Sequence, residues 1–134
     1  MKSTALKRSD LVYPELCYQT IGVLFSVYNE LGYGHKEKIY QKAVAEAFRE
    51  CGLKFREQLY APVIFRGKNI GKNYFDFLID DKLVLEIKRD DYFHKSHIEQ
   101  LYNYLVVKDL KLGLLIYFTP RNLHFKRVVN IANS

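Results

Sequence analysis

Apolar residues recur at helical spacing through the first third of the chain and then change to a two-residue rhythm. In "YPELCYQTIGVLFSVYNELG", Leu16, Val23, Leu24, Val27 and Leu31 follow a helical stripe. Pro14 suits the first turn, Glu15 favours the dipole there, and Gly32 marks the stop. After a "YGHKE" turn, "KEKIYQKAVAEAFRECG" predicts a second helix, with Ile39, Tyr40, Ala43, Val44, Ala47 and Phe48 inward and Gly52 at its end. "LKFREQLYAPVIFRG" then predicts one bent or two short strands, Pro62 marking an edge or a break. "GKNI" is expected to turn, and "NYFDFLI" and "LVLEIKR" to form a hairpin through Asp80, Asp81 and Lys82. "KSHIEQLYNYLVVKD" predicts a third helix, with Ser96 as N-cap and Glu99 completing a capping box. "LGLLIYF" reads as a buried central strand, and "LHFKRVVNI" as a closing strand or short helix. The expected order is ααββββαβ with a tail. The fold class is α/β: a sandwich with a mixed central sheet flanked by helices.

The 134 residues suit one domain, expected over 13–134 behind a basic tail of residues 1–12. Nearly half the residues are hydrophobic, and there are eleven Tyr and nine Phe, so a core is expected without disulfides or a structural metal. Cys17 and Cys51 lie in helical patterns and read as small buried side chains. No signal peptide or membrane-spanning run is legible, which points to a soluble, cytoplasmic chain with no membrane partner. The formal charge of +6 favours polyanionic partners.

Polar residues inside the hairpin change the picture. Leu83, Leu85 and Ile87 share one face of their strand, and Val84, Glu86 and Lys88 the other. An antiparallel sheet with one wet face would show the same alternation. If residues 80–82 form the loop, however, Ile79 faces Leu83 and Asp76 faces Glu86. Asp76, Glu86 and Lys88 then converge. Carboxylates directly opposite each other repel, and a divalent cation resolves the conflict, since hard oxygen donors suit Mg²⁺ or Mn²⁺. With a lysine beside it, that group suits phosphodiester hydrolysis.

Asp76 followed by "EIK" at 86–88 resembles the PD-(D/E)XK nuclease superfamily, with Phe75 where the superfamily's name has proline. "GHKEKIY", residues 34–40, is similar to the GxxExxY signature of one branch. Gln100 and Tyr104 match the Gln-x-x-x-Tyr pattern of RecB-like branches, and "LGLLIYF" followed by "FKRVVN" looks like that branch's closing segment. The resemblance implies a restriction-endonuclease-like three-layer sandwich and a Mg²⁺- or Mn²⁺-dependent nuclease acting on DNA. It implies Asp76, Glu86 and the Ile87 carbonyl as metal ligands, Lys88 as catalytic lysine, and Glu37 reaching the metal or its water shell. It also implies that Gln100 and Tyr104 face the active site or the nucleic acid.

Other readings of the same residues stand beside these. Glu37 fits a first-turn carboxylate stabilised by the helix dipole. Tyr40 and Tyr104 fit core positions, Gln100 a surface amide, and His94 and His97 surface or capping residues. Lys72, Arg89 and Lys95, with Arg56, Arg66, Lys68, Arg121, Lys126 and Arg127, suit phosphate tracking or an ordinary solvated exterior. A nucleic-acid-binding module that keeps the nuclease fold without cutting, or a small interaction protein, are the rival functions. A homodimer is compatible with either enzyme or module.

Overall fold

Helix α1 (Pro14–Leu31) and helix α2 (Glu37–Cys51) open the chain in a computed structural model that describes residues 12–133. Strands β1 (Phe55–Phe65), β2 (Lys68–Ile79) and β3 (Leu83–Arg89) follow, then helix α3 (Lys95–Lys108) and strands β4 (Leu112–Phe118) and β5 (Leu123–Val129). The basic tail expected over residues 1–12 lies outside the described residues, apart from Val12. The carbonyl of Val12 accepts a 3.0 Å hydrogen bond from Arg127.

The five strands form one sheet in the order β1-β2-β3-β4-β5. Neighbours run antiparallel except β3 and β4, which are parallel and joined through α3. A parallel pair needs such a crossover, and α3 supplies it while covering the sheet. Helices α1 and α2 lie on the other face. Phe77, Ile79, Leu83, Leu85, Ile87, Leu114, Ile116 and Phe118 form a core with α1 and α2. Phe75, Leu78, Val84, Leu115 and Tyr117 form a second core with Leu101 and Leu105 of α3. The result is the three-layer α/β sandwich with a mixed central sheet.

Several local expectations are corrected. The alternation in β3 does not mark a wet face: Val84 is fully buried under α3. β1 is one bent edge strand, and Pro62 is tolerated there because an edge has a side without ladder bonds. The β1–β2 turn is Arg66-Gly67, both at positive φ, and Lys68–Ile70 of the expected "GKNI" turn belong to β2. α3 begins at Lys95 with His94 at its N-cap and no side-chain cap bond, so Ser96 sits inside the first turn. Glu99 meets Lys95 at 3.9 Å instead of closing a capping box. Ile39 and Cys51 are exposed. The closing segment is a strand, followed by a short 3-10 turn over Ile131–Asn133.

One irregularity shapes everything near the sheet's centre. Phe75 faces the α3 core, yet Phe77 faces the α1/α2 core. Strict alternation would put both on one face. On β1, Phe55 packs against the α1/α2 core while Leu59 and Ala61 join the other. The regular pairing passes from Glu57–Phe77 to Leu59–Phe75, leaving out Gln58 and Asp76, and Gln58 holds φ of 56°. Both strands therefore exchange faces at Gln58 and Asp76.

Candidate active site

Asp76 sits where that exchange occurs, and it is 7% exposed. Regular pairing of β2 with β3 covers Phe77–Leu85, Leu78–Val84 and Ile79–Leu83, matching the expected loop and register. Beyond Phe77–Leu85, side chains take over. The Ile87 N–H donates to Asp76 Oδ2 at 2.7 Å, and the Asp76 N–H donates to Glu86 Oε1 at 3.1 Å. Gln41 of α2 donates to Asp76 Oδ1 at 2.8 Å. Lys88 Nζ stands 3.4 Å from Glu86 Oε2. The register brings Asp76, Glu86 and Lys88 together, as the sequence suggested.

Glu37 arrives from the first residue of α2. Its Oε2 accepts a 2.9 Å hydrogen bond from the Arg89 N–H, fastening the start of the helix to the end of β3. The turn before it is held by Tyr40, which is fully buried and stacks on Phe118 with ring centroids 4.0 Å apart. The Tyr40 hydroxyl donates to the Gly32 carbonyl and accepts from the His35 N–H. Gly34 holds φ of 116°, a region open to glycine alone without strain. The fixed residues of "GHKEKIY" thus divide the work between them. Gly34 makes the turn, Tyr40 pins it, and Glu37 is presented.

Glu37, Lys38, Gln41, Lys42, Asp76, Glu86 and Lys88 line an open cleft of about 700 Å³. Burial pushes Asp76 up from the ordinary carboxylate range to about 6, against the pull of the Ile87 N–H. Burial, and then the Asp76 charge, push Glu86 up to about 8. Close carboxylates withdrawn from water resist ionising together, and a cation between them would relieve that conflict.

Asp76 and Glu86 offer an all-oxygen donor set, suited to a hard divalent ion that keeps several waters. No group of three or more His, Cys, Asp or Glu able to hold a metal occurs among the described residues. The fit is therefore to a cation shared with water and substrate oxygens rather than to one caged by protein.

The remaining sequence candidates lie elsewhere. Gln100 and Tyr104 do not line this cleft. They line a second groove of about 610 Å³ between α3 and the β1–β2 hairpin, where Tyr104 packs on Phe75 at 4.7 Å between ring centroids. Arg89 lies over the Tyr33 ring, Lys72 over the Tyr74 ring, and Lys95 is exposed beside Glu99. His94 pairs with Asp90 at 2.7 Å, and His97 is bonded to the Tyr117 hydroxyl. Lys38, Gln41 and Lys42 were missed. The available signal was spacing, since Gln41 follows Glu37 by one helical turn and so shares its face.

A mixed sheet between helices, with a buried Asp76, a part-buried Glu86 and Lys88 where two strands part, makes an α/β sandwich with a polar cleft at its centre. The family model of the PD-(D/E)XK nuclease superfamily matches residues 14–128, and the chain belongs to that superfamily. No curated protein matches it. Among solved structures, the crystal structure of SSO0001 is similar in fold, with a TM-score of 0.54 and 19% identity over 69% of this chain. The chain spans about half the length of SSO0001, 50% of it being covered. No helix among the described residues is long and apolar enough to cross a membrane.

Proposed function

We propose that the chain is a metal-dependent nuclease that hydrolyses phosphodiester bonds in DNA, of the GxxExxY branch with its RecB-like Gln-x-x-x-Tyr pattern. The observation that carries this reading is the close pair of carboxylates, Asp76 buried and Glu86 largely withdrawn from water, with Lys88 Nζ 3.4 Å from Glu86. Stability alone gives no reason to bury such a pair.

Asp76, Glu86 and the Ile87 carbonyl would hold Mg²⁺ or Mn²⁺, with Glu37 reaching its water shell. When bound, that ion supplies polarisation of the phosphate and a more acidic water. Lys88 orients the attacking water or neutralises charge gathering on the phosphate oxygens. Lys38 and Lys42, on the cleft wall, draw the DNA backbone in. Glu37 keeps one carboxylate oxygen for the cleft while the other holds the Arg89 N–H. Arg89, Lys95 and Lys72 extend the phosphate contacts beyond the cleft, and Gln100 and Tyr104 meet the nucleic acid from α3.

One observation favours a second reading, a module that binds nucleic acid without cutting it. Both Asp76 oxygens already have protein donors, Gln41 and Ile87. The test is a calorimetric titration with Mn²⁺ of wild type and Asp76→Asn, run beside cleavage of a panel of DNA structures. Binding and cleavage that both vanish in Asp76→Asn support the nuclease. Salt-sensitive DNA binding without cation binding or turnover, even when non-cleavable DNA is present, would leave the second reading.

A further inference from the structure

The groove beside the cleft has a different chemistry from the cleft itself. No Asp or Glu lines it, and its one charged residue is Lys108. Its polar groups are three carboxamides: Asn73 on β2 and Gln100 and Asn103 on α3. None is bonded to a protein partner among the described residues. A carboxamide offers a donor and an acceptor side by side, the pattern that the edge of a nucleobase presents. The walls are apolar and aromatic, with Tyr104 against Phe75 on one side and Val107 on the other. A volume of about 610 Å³ is in the ordinary range for a pocket that takes a small planar group.

Its place matters as much as its lining. Consecutive residues of β2 serve the two concavities by turns: Asn73 and Phe75 line the groove, while Tyr74 and Asp76 line the cleft. A single strand thus divides them. A phosphate held against Asp76 would leave its attached nucleoside near the groove's mouth.

We propose that this groove receives an unpaired nucleobase, so that the substrate is a single strand, or the single-stranded part of a branched or frayed DNA. The inference rests on the nuclease reading above for the orientation of the strand. A base inside a duplex has its pairing edge occupied and its faces stacked, and can offer the groove neither. An extruded base can give its edge to Asn103 and Gln100 and its face to Tyr104. Sequence preference would be weak, because rotatable carboxamides and ring faces accept every base.

Fluorescence anisotropy on the wild-type chain without divalent cations tests this. The probes are an end-labelled mixed-sequence DNA strand, the same backbone with every base replaced by an abasic tetrahydrofuran, and the blunt duplex. The intact strand is expected to bind about tenfold more tightly than the abasic one, and more tightly than the duplex. Asn103→Ala should weaken binding of the intact strand several-fold more than binding of the abasic strand. The residue is exposed on a helix, where alanine is well tolerated. Equal binding of intact and abasic strands, or duplex bound as tightly as single strand, overturns the proposal. Mn²⁺-dependent cleavage of the three DNAs reads the nuclease activity separately. Discrimination without cleavage would sink the nuclease and keep the groove, and cleavage without discrimination would do the reverse.

Discussion

The Ile87 N–H donates to Asp76 Oδ2 at 2.7 Å, just beyond Phe77–Leu85, the last regular contact between their strands. A side chain here does what a main-chain carbonyl does elsewhere in the sheet. It lets β2 and β3 part without orphaning a buried donor, and the space between the parted strands is the cleft.

That double duty separates two substitutions. Asp76→Asn keeps an oxygen for the Ile87 N–H, and its melting temperature should stay close to wild type. Asp76→Ala leaves the donor unsatisfied and should cost about 1–3 kcal/mol, measured by chemical denaturation. Both are expected to abolish Mn²⁺ binding and cleavage. Asp76→Asn retaining both functions would remove the residue from the site.

The carboxylate pair should also make the metal-free protein less stable as pH rises. Both groups hold a proton more tightly folded than unfolded, Asp76 near 6 and Glu86 near 8. The folded state therefore binds more protons, and stability falls with rising pH. The pair's contribution is greatest below the ordinary carboxylate values and is lost as pH rises through about 8. Glu86→Gln should flatten the fall in melting temperature across that window, and saturating Mn²⁺ should offset it. A melting profile identical in wild type and Glu86→Gln would contradict the assignment.

Tyr40→Phe removes the hydroxyl that joins Gly32 to His35 ahead of Glu37. A loss of about 0.5–1.5 kcal/mol is expected from the missing hydrogen bond. Activity should fall by more than Gln or Ala at exposed Lys95 would cause, because the turn that presents Glu37 loosens. Denaturation and steady-state cleavage, compared in the same preparation, check both parts.

Gly113 in β4 lies under α3, and a Cβ there would come within 2.8–2.9 Å of the Leu101 side chain. Leu101 is fully buried, so its side chain would have to repack within the α3 core. Gly113→Ala should destabilise by about 1–3 kcal/mol through overpacking, and in the double variant with Leu101→Ala, itself costly, the total loss should fall short of the sum of the two single losses. Additive losses in the double variant would mean that the two positions do not touch.

Much of this was legible because local pattern and tertiary demand agreed. β3 and β4 are bounded in the sequence as they are in the fold, since β3 closes on Lys88-Arg89 and β4 is an apolar run between Lys111 and Thr119-Pro120. The loop at 80–82 fixed the register and hence the meeting of Asp76 with Glu86. The face of Val84 was misleading because a polar neighbour looks the same whether it faces water or a cleft. The long arm of β1 and β2 hid its turn, since Lys68 and Asn69 are exposed and carry no alternation. The exchange of faces at Gln58 and Asp76 left no mark in hydropathy, being a backbone event. Gln100 matched a motif, but a motif does not say which side of a strand its residue will reach.

The bonds that fix the cleft tie together distant parts of the chain: Glu37 to Arg89, and Gln41 to Asp76. The β1–β2 arm, by contrast, is closed by neighbours across a two-residue turn. Contacts of long separation carry the greater loop-closure cost and form late. During refolding, the hairpin should therefore be present before the cleft, and catalytic competence should be the last property to return. Under mild denaturation the order reverses, and the molecule goes silent while its sheet still reports itself intact.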